Sequence, residues 1–253
     1  MFSSELLQEH LKTNFLGCDI IYQSQTNSTN EDAWNHINDG YKEGTIFITD
    51  NQINGQGRHQ NKWVSTLDKS LTISFILHPK IELDKLGLLP ILMGVSIVQG
   101  IKLSVSIQTG LKWPNDIMLN GKKMGGILIE SKMTQTGLRV VVGVGLNINE
   151  TPQDIPIILK NKATSLAIYS GTSCSREQIL SAVLNEFEWL YTQQWDSIIP
   201  IWREYCVHQD SKVTFHSEEG SHQGIFQGIS SLGHAKIQID GKTQTLPSGM
   251  VML

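Results

Sequence analysis

Cysteine is scarce in this sequence, long apolar runs are missing, and neither sign of charge dominates. The three cysteines of the 253 residues, Cys18, Cys174 and Cys206, lie far apart and are odd in number, so they frame no disulfide scaffold. No C-x-x-C occurs, which argues against a zinc ribbon or a redox motif and leaves reduced thiols in a cytoplasmic protein as the expectation. No run approaches the ~18 apolar residues of a membrane span. The first residues, MFSSELLQEHLKTNF, hold two acids and no long apolar core, so they do not read as a signal peptide. A formal charge of -4 with a pI near 6.1 lacks the basic excess of a dedicated nucleic-acid binder. There is no Walker pattern, which excludes a P-loop nucleotide fold. What remains is an ordinary globular composition, 40% hydrophobic and 17% charged, long enough for one large domain or one with a small companion.

The most informative stretch is Leu111–Glu130, LKWPNDIMLNGKKMGGILIE. Pro114 pushes Trp113 to an extended conformation and so forbids a helix there. Asn120-Gly121 is a strong hairpin signal, because a type I′ turn needs positive φ at both central residues. The segment therefore reads as strand, tight turn and strand, with Lys112, Asn115, Asp116, Lys122, Lys123 and Gly125-Gly126 among them. Leu138–Asn147 is its apolar, β-branched partner, joined through a turn at Thr134–Gly137. Gly143-Val-Gly145 has no third glycine and no following helix, so it marks close backbone approach rather than a dinucleotide site.

Elsewhere, CDIIY (18–22), GTIFIT (44–49) and LTISFIL (71–77) are strand-like. Residues Leu6, Leu7 and Leu11 suggest a short helix at the start. A polar patch, Gln25–Asn30, precedes a helix over Glu31–Asn38, with Ser28 or Thr29 as its N-cap. Asp84–Leu103 is apolar at helical spacing and reads as a buried helix, its Gly87, Gly94 and Gly100 pointing to close packing. Arg176–Trp195 is an amphipathic helix whose stripe of Ile179, Leu180, Val183, Leu184, Phe187, Leu190 and Tyr191 belongs in a core. Asp50–Trp63 is too polar to pack a core and reads as a surface loop or a lid that brings backbone N–H groups and Arg58 to an anion. Glu150–Ala163, with Pro152 and Pro156, is a second long loop. Beyond Cys206 short alternating strands appear, at 211–216, 224–229, 235–240 and 243–246. Turns at Glu219-Gly220, Leu232-Gly233 and Asp240-Gly241 separate them. This is a small all-β unit.

Three pieces, Ser28-Thr29-Asn30, then Gly55-Gln56-Gly57-Arg58-His59-Gln60-Asn61-Lys62-Trp63, then Lys112-Trp113-Pro114-Asn115-Asp116 with Lys123 and Gly126, together resemble biotin–protein ligases. The likeness covers nearly the whole chain, most firmly Ser28 to Asn147. It implies an α+β fold of the class II synthetase-like, biotin–lipoyl ligase type. A mixed sheet flanked by helices would form a catalytic domain over residues 1–206, and a small SH3-like β-barrel would follow over 207–253. The implied chemistry is activation of biotin by ATP to biotinyl-5′-AMP, then transfer to a lysine of a biotin carboxyl carrier domain. The resemblance assigns Lys123, Arg58, Lys112 and Asp116 to catalysis. It puts Ser28, Thr29, Asn30, Gln52, Gly55, Gln56, Gly57, Arg58, Lys123 and Gly126 around biotin. Arg58, Trp63, Lys112, Asn115, Lys123 and Asn147 would meet ATP. Mg²⁺ would accompany ATP, with Asp116 as its candidate ligand, and no permanent cofactor is expected.

The sequence departs from the family at several points. Ser28 comes too early for the helix-turn-helix domain of repressor-type members, so DNA is not an expected partner. Nor is a membrane, and a homodimer is compatible with the resemblance. Gln56, His59 and Gln60 replace arginines and a glycine common in repressor-type loops, which bears on how firmly the adenylate is retained. Competing readings are a lipoate or octanoate ligase or transferase of the same superfamily, a biotin-sensing regulator, and a bare interaction module. The Ser-Thr-Asn patch favours a neutral polar head group such as a ureido ring over a purely apolar tunnel.

Overall fold

The computed structural model describes residues 1–37, 40–217 and 220–252. In chain order the elements are α1 (Ser4–His10), β1 (Ile20–Thr26), α2 (Thr29–His36), β2 (Ile46–Gln52), β3 (Gly55–Gln56), β4 (Lys62–Trp63) and β5 (Ser70–Leu77). Then come α3 (Leu89–Val105), β6 (Gly110–Lys112), β7 (Asp116–Leu119), β8 (Lys122–Thr134) and β9 (Gly137–Asn147). They are followed by α4 (Leu166–Ser170), α5 (Arg176–Tyr191) and α6 (Ile198–Tyr205). The last strands are β10 (Lys212–Ser217), β11 (Gly220–Ile229), β12 (Ala235–Ile239), β13 (Lys242–Leu246) and β14 (Met250–Met252).

Seven strands form one mixed sheet in the order β1-β2-β5-β9-β8-β7-β6. Only the β1–β2 pair in it is parallel. The period-2 alternation of β5 and β9 gives the sheet two unlike faces. Ile73, Phe75, Leu77, Val140, Val142 and Val144 join the main core under α3 and α5. There Phe75 meets Phe187 edge-on at 5.1 Å between ring centroids. The opposite face carries Thr72, Ser74, Gly143 and Gly145, small or polar residues in register across β5 and β9. Helix α2 covers one end of that face over a small cluster of Ala33, Phe47, Ile76 and Val141. A sheet with one apolar face and one thinly covered face has a trough built into it.

The helix expected over 84–103 is shorter and later. A 3-10 turn, Leu83–Leu88, leads into α3, which starts at Leu89 with Pro90 in its first turn. Proline lacks an amide hydrogen and is tolerated only there in a helix, so it marks the true start. The stretch Leu83–Val105 is apolar enough to span a membrane by length and composition, but 67% of its apolar window is buried in the fold. It serves as the core helix. Its glycines have three different partners. A Cβ at Gly94 would sit 3.1 Å from Leu111 on the sheet. One at Gly100 would sit 2.7 Å from the Val183 backbone of α5, and one at Gly87 would sit 2.5 Å from the Leu232 carbonyl of the small β unit.

Asn120 and Gly121 both have positive φ, 49° and 74°, as the hairpin reading requires. The segment 50–63 is more ordered than a polar loop. Asp50, Asn51 and Gln52 continue β2, and β3 pairs with β4 as a short hairpin around a 3-10 turn at Arg58–Gln60. The last strands form a five-stranded antiparallel sheet, β13-β12-β11-β10-β14. β14 had no counterpart among the expected strands. The expected helix end at Asn38 and the Glu219 half of one expected turn lie outside the described residues.

Candidate functional site

Cross-strand register builds the floor of the trough. Asp116, Gly126, Gly145 and Thr72 form one row across β7, β8, β9 and β5, and Leu128, Gly143 and Ser74 form the next. The glycines matter because side chains from other elements lie directly on them. A Cβ at Gly143 would come within 2.1 Å of Asn30 Oδ1, and one at Gly145 within 2.4 Å of Trp63 Cε2. The close approach read from Gly143-Val-Gly145 is therefore of α2 and the β3–β4 hairpin onto the sheet.

The rim of the same cavity brings together Ser28, Thr29, Asn30, Gln52, Gln56, Gly57, Arg58, Trp63, Lys112, Asn115, Asp116, Lys123 and Gly126. Two expected residues stand elsewhere. Gly55 is buried within the β3–β4 hairpin, opposite Trp63, where a Cβ would meet Gln52 Nε2 at 2.5 Å. Asn147 is not a lining residue. It donates through Nδ2 to the Thr164 carbonyl at 3.0 Å and so ties the end of β9 to the chain leading into α4. Asn115 lines the cavity with its amide nitrogen committed to the Ile127 carbonyl.

At the start of α2, Ser28 occupies the N-cap position, but its side chain makes no capping bond. Gln52 substitutes for it, because its Oε1 accepts from the Thr29 backbone N–H at 2.9 Å. The Ser28 hydroxyl, in a residue only 5% exposed, is thereby left facing the cavity. Thr29 Oγ1 lies 2.7 Å from Ser74 Oγ, and Ser74 donates to Asn30 Oδ1. Among the described residues, two buried groups of the lining residues, Trp63 Nε1 and Thr72 Oγ1, have no hydrogen-bond partner.

The opposite wall is cationic. Lys123 Nζ bonds Asp116 Oδ1, and Lys112 Nζ stands 3.9 Å from Asp116 Oδ2. β8 carries an extra residue, Met124, between the Ile117–Gly125 and Met118–Lys123 pairs. Such a bulge re-aims the neighbouring side chain, and here the Lys123 ammonium comes to lie over Gly126. Burial pulls the Lys112 ammonium below its ordinary range. Asp116 opposes that shift and Lys123 adds to it. Burial likewise lowers the half-buried Arg58 guanidinium, against the attraction of Asp116. Three cations thus face one carboxylate, an arrangement that invites anions. The hairpin carrying Arg58 is braced by Gly57 N–H to the Asn61 carbonyl at 2.7 Å, and Arg58 Nη1 points to the Gly249 carbonyl at 3.5 Å.

Asp116 does not fit a protein-held metal. It is already engaged by two lysines. Among the described residues no group of three or more His, Cys, Asp or Glu side chains could hold an ion. Sequence reasoning missed the contribution of the small β unit. Gly249, Met250 and Val251 line the cavity mouth, and Trp113 Nε1 donates to the Gly233 carbonyl at 2.9 Å. Glycine at position 249, with φ of +148°, was the one available signal.

The cavity can be set beside known proteins. A model of the biotin/lipoate A/B protein ligase family matches residues 22–147. The chain is 36% identical over 228 residues to the bifunctional ligase/repressor BirA of Bacillus subtilis, covering 88% of this chain and 70% of that one. It is 28% identical to the biotin–[acetyl-CoA-carboxylase] ligase of Mycobacterium tuberculosis over 90% of this chain and 86% of that one. The Aquifex aeolicus biotin protein ligase in complex with biotin and ATP superposes with a TM-score of 0.79 at 26% identity, over 93% of this chain and 98% of that one.

Proposed function

The chain belongs to the biotin/lipoate A/B protein ligase family, and from that premise we propose that it makes biotinyl-5′-AMP from biotin and ATP and transfers biotin to a carrier-protein lysine. The carrying observation is the meeting, in one cavity, of a neutral hydrogen-bonding patch at Ser28–Asn30 and a cationic wall of Arg58, Lys112 and Lys123.

In the first step a carboxylate oxygen attacks the α-phosphorus of ATP and pyrophosphate leaves. Two anions must approach one another, so the barrier falls when fixed cations stand at the place of reaction. Lys123 is the compact charge between carboxylate and α-phosphate. Arg58 forks onto phosphate or carboxylate oxygens, and Lys112 takes the pyrophosphate end. Asp116 holds both ammonium groups at the floor until substrate arrives. The hydroxyls of Ser28 and Thr29, with Asn30 and Gln52, take the ureido ring, whose neutral dipoles suit amides and hydroxyls better than charges. Trp63 packs beside adenine. Mg²⁺ carried by the nucleotide would add charge neutralisation at the phosphates. In the second step a lysine amine attacks the mixed anhydride and AMP leaves. Asp116 is the carboxylate lining the cavity that can orient the amine or accept its proton.

The same reading assigns residues 1–206 to catalysis and 207–253 to an SH3-like unit that completes the cavity mouth. Its acceptor is a biotin carboxyl carrier domain. The enzyme works in the cytoplasm, with a second copy of itself as a candidate partner and without DNA or membrane. The test is incubation with Mg-ATP, a carrier domain, and biotin, lipoate or octanoate in parallel. A mass gain of the carrier with biotin is expected, and a gain only with lipoate or octanoate would overturn the reading.

A further inference from the structure

Glu130 stands on β8 in the same alternation as Gly126 and Leu128, so it faces α2 rather than the core. It is exposed and makes no ion pair among the described residues. Both of its partners are donors from α2. Asn30 Nδ2 donates to Glu130 Oε2 at 2.7 Å, and Trp34 Nε1 donates to the same oxygen at 3.2 Å. Lys132 sits over the Trp34 ring at 4.2 Å and keeps that indole in place.

A carboxylate offers acceptors only, so Asn30 must turn its nitrogen outward to Glu130 and its oxygen inward. The inward Oδ1 accepts from Ser74 Oγ at 2.6 Å. Ser74 has one proton, now spent on Asn30, so its oxygen accepts from Thr29 Oγ1 at 2.7 Å. The Thr29 proton then points into this chain, away from Gln52 Oε1, which stands farther off at 3.3 Å. Each link fixes the next. The Thr29 hydroxyl is left to face the cavity with lone pairs, while Ser28 keeps a free hydroxyl proton. One acceptor beside one donor matches a ureido group, which offers N–H and C=O side by side.

We propose that Glu130 is the positioning residue that sets the hydrogen-bond polarity of this patch, through Asn30 and Ser74 to Thr29, and so tunes recognition of the ureido ring. The proposal rests on the biotin reading above. Glu130 touches no reacting atom, so its effect falls on biotin binding and not on the chemical step.

Three variants grade the outer link. Glu130→Gln keeps an acceptor without its charge, Glu130→Ala removes the acceptor, and Glu130→Lys installs a donor that turns Asn30 around. KM for biotin in pyrophosphate exchange should rise in that order, by about tenfold for Glu130→Ala as a charge-assisted hydrogen bond is lost. kcat at saturating biotin and KM for ATP should hold within about twofold. Ser74→Ala breaks the inner link. Combined with Glu130→Ala it should add little to the larger single effect, because both cut one chain. A flat series, a rise in KM for ATP in parallel, or additive effects of the two alanines would overturn the proposal. Wild-type protein without biotin-dependent exchange would instead sink the functional reading, whereas active wild type with unaffected Glu130 variants sinks the relay alone.

Discussion

Lys123 and Glu188 show how much one side chain is asked to do. The Met124 bulge swings the Lys123 ammonium over Gly126 and onto Asp116. Lys123→Ala should lower biotin-dependent pyrophosphate exchange by about a hundredfold or more, with the melting temperature little changed, because the side chain is partly exposed and supports no core. Near-normal exchange would remove it from the chemistry. Glu188 is structural. Burial alone would push its carboxyl up, but backbone N–H groups of Asn14, Leu16 and Phe15 outweigh that and hold it below its ordinary range. A depressed carboxyl contributes stability above its unfolded value and loses it as pH falls through the folded one. Glu188→Gln should therefore cost about 2 kcal/mol near neutral pH, with the gap to wild type closing in acid. A gap that persists below the carboxylate range would refute this account in denaturant titrations.

Among the elements, the β3–β4 hairpin depends on a residue far along the chain. Its Trp63 ring lies on the bare backbone of Gly145, and Gly145→Ala would place a methyl 2.4 Å from Cε2. The indole must move, and KM for ATP should rise on the order of tenfold or more. Unchanged kinetics and unchanged tryptophan fluorescence would show that Trp63 has no part in the nucleotide site. This element also marks how far the sequence could be read. The Asn120-Gly121 turn was legible because its cause is local. The close approach at Gly143 and Gly145 was legible as a fact, but its partners, Asn30 and Trp63, were not, since no local signal links them to β9. The free Ser28 hydroxyl was hidden for a similar reason. Its capping duty is taken by Gln52, on a different strand. The hairpin around Arg58 reads as a loop or lid in the sequence because two-residue strands carry no period.

At the scale of the whole molecule, the small β unit shares the main apolar core, with Phe215 against Trp113 and Phe226 against Trp202, and is tied to it by polar and close backbone contacts as well. Trp113 reaches the Gly233 carbonyl, Arg58 points to the Gly249 carbonyl, and Gly87 sits beneath Leu232. The alternating strands expected beyond Cys206 are present as β10 to β13, but nothing in their pattern says that Gly249–Val251 would line the cavity. His208 lies fully buried at this junction, against Phe226 at 4.2 Å between ring centroids. Burial, helped by the Lys112 charge, pulls its imidazole down from 6.5 to about 4. A depressed imidazole binds its proton more weakly folded than unfolded. Stability is thus fully present above about 6.5 and drains as pH falls toward about 4. His208→Phe should flatten that part of the stability profile relative to wild type, and an unaltered slope would contradict the assignment.

The backbone of Lys123 is gripped from two sides. β7 pairs with it on one edge. On the other its N–H donates to the Lys162 carbonyl at 2.8 Å, and its own carbonyl accepts from Thr164 N–H at 3.0 Å. The end of the long loop over 150–163 is therefore stitched to Lys123. These two amides can trade hydrogen for deuterium only when the loop peels away. Corrected for intrinsic rates, their protection should be equal and should rise together when biotin and ATP bind. Unequal protection would mean that loop and lysine open separately.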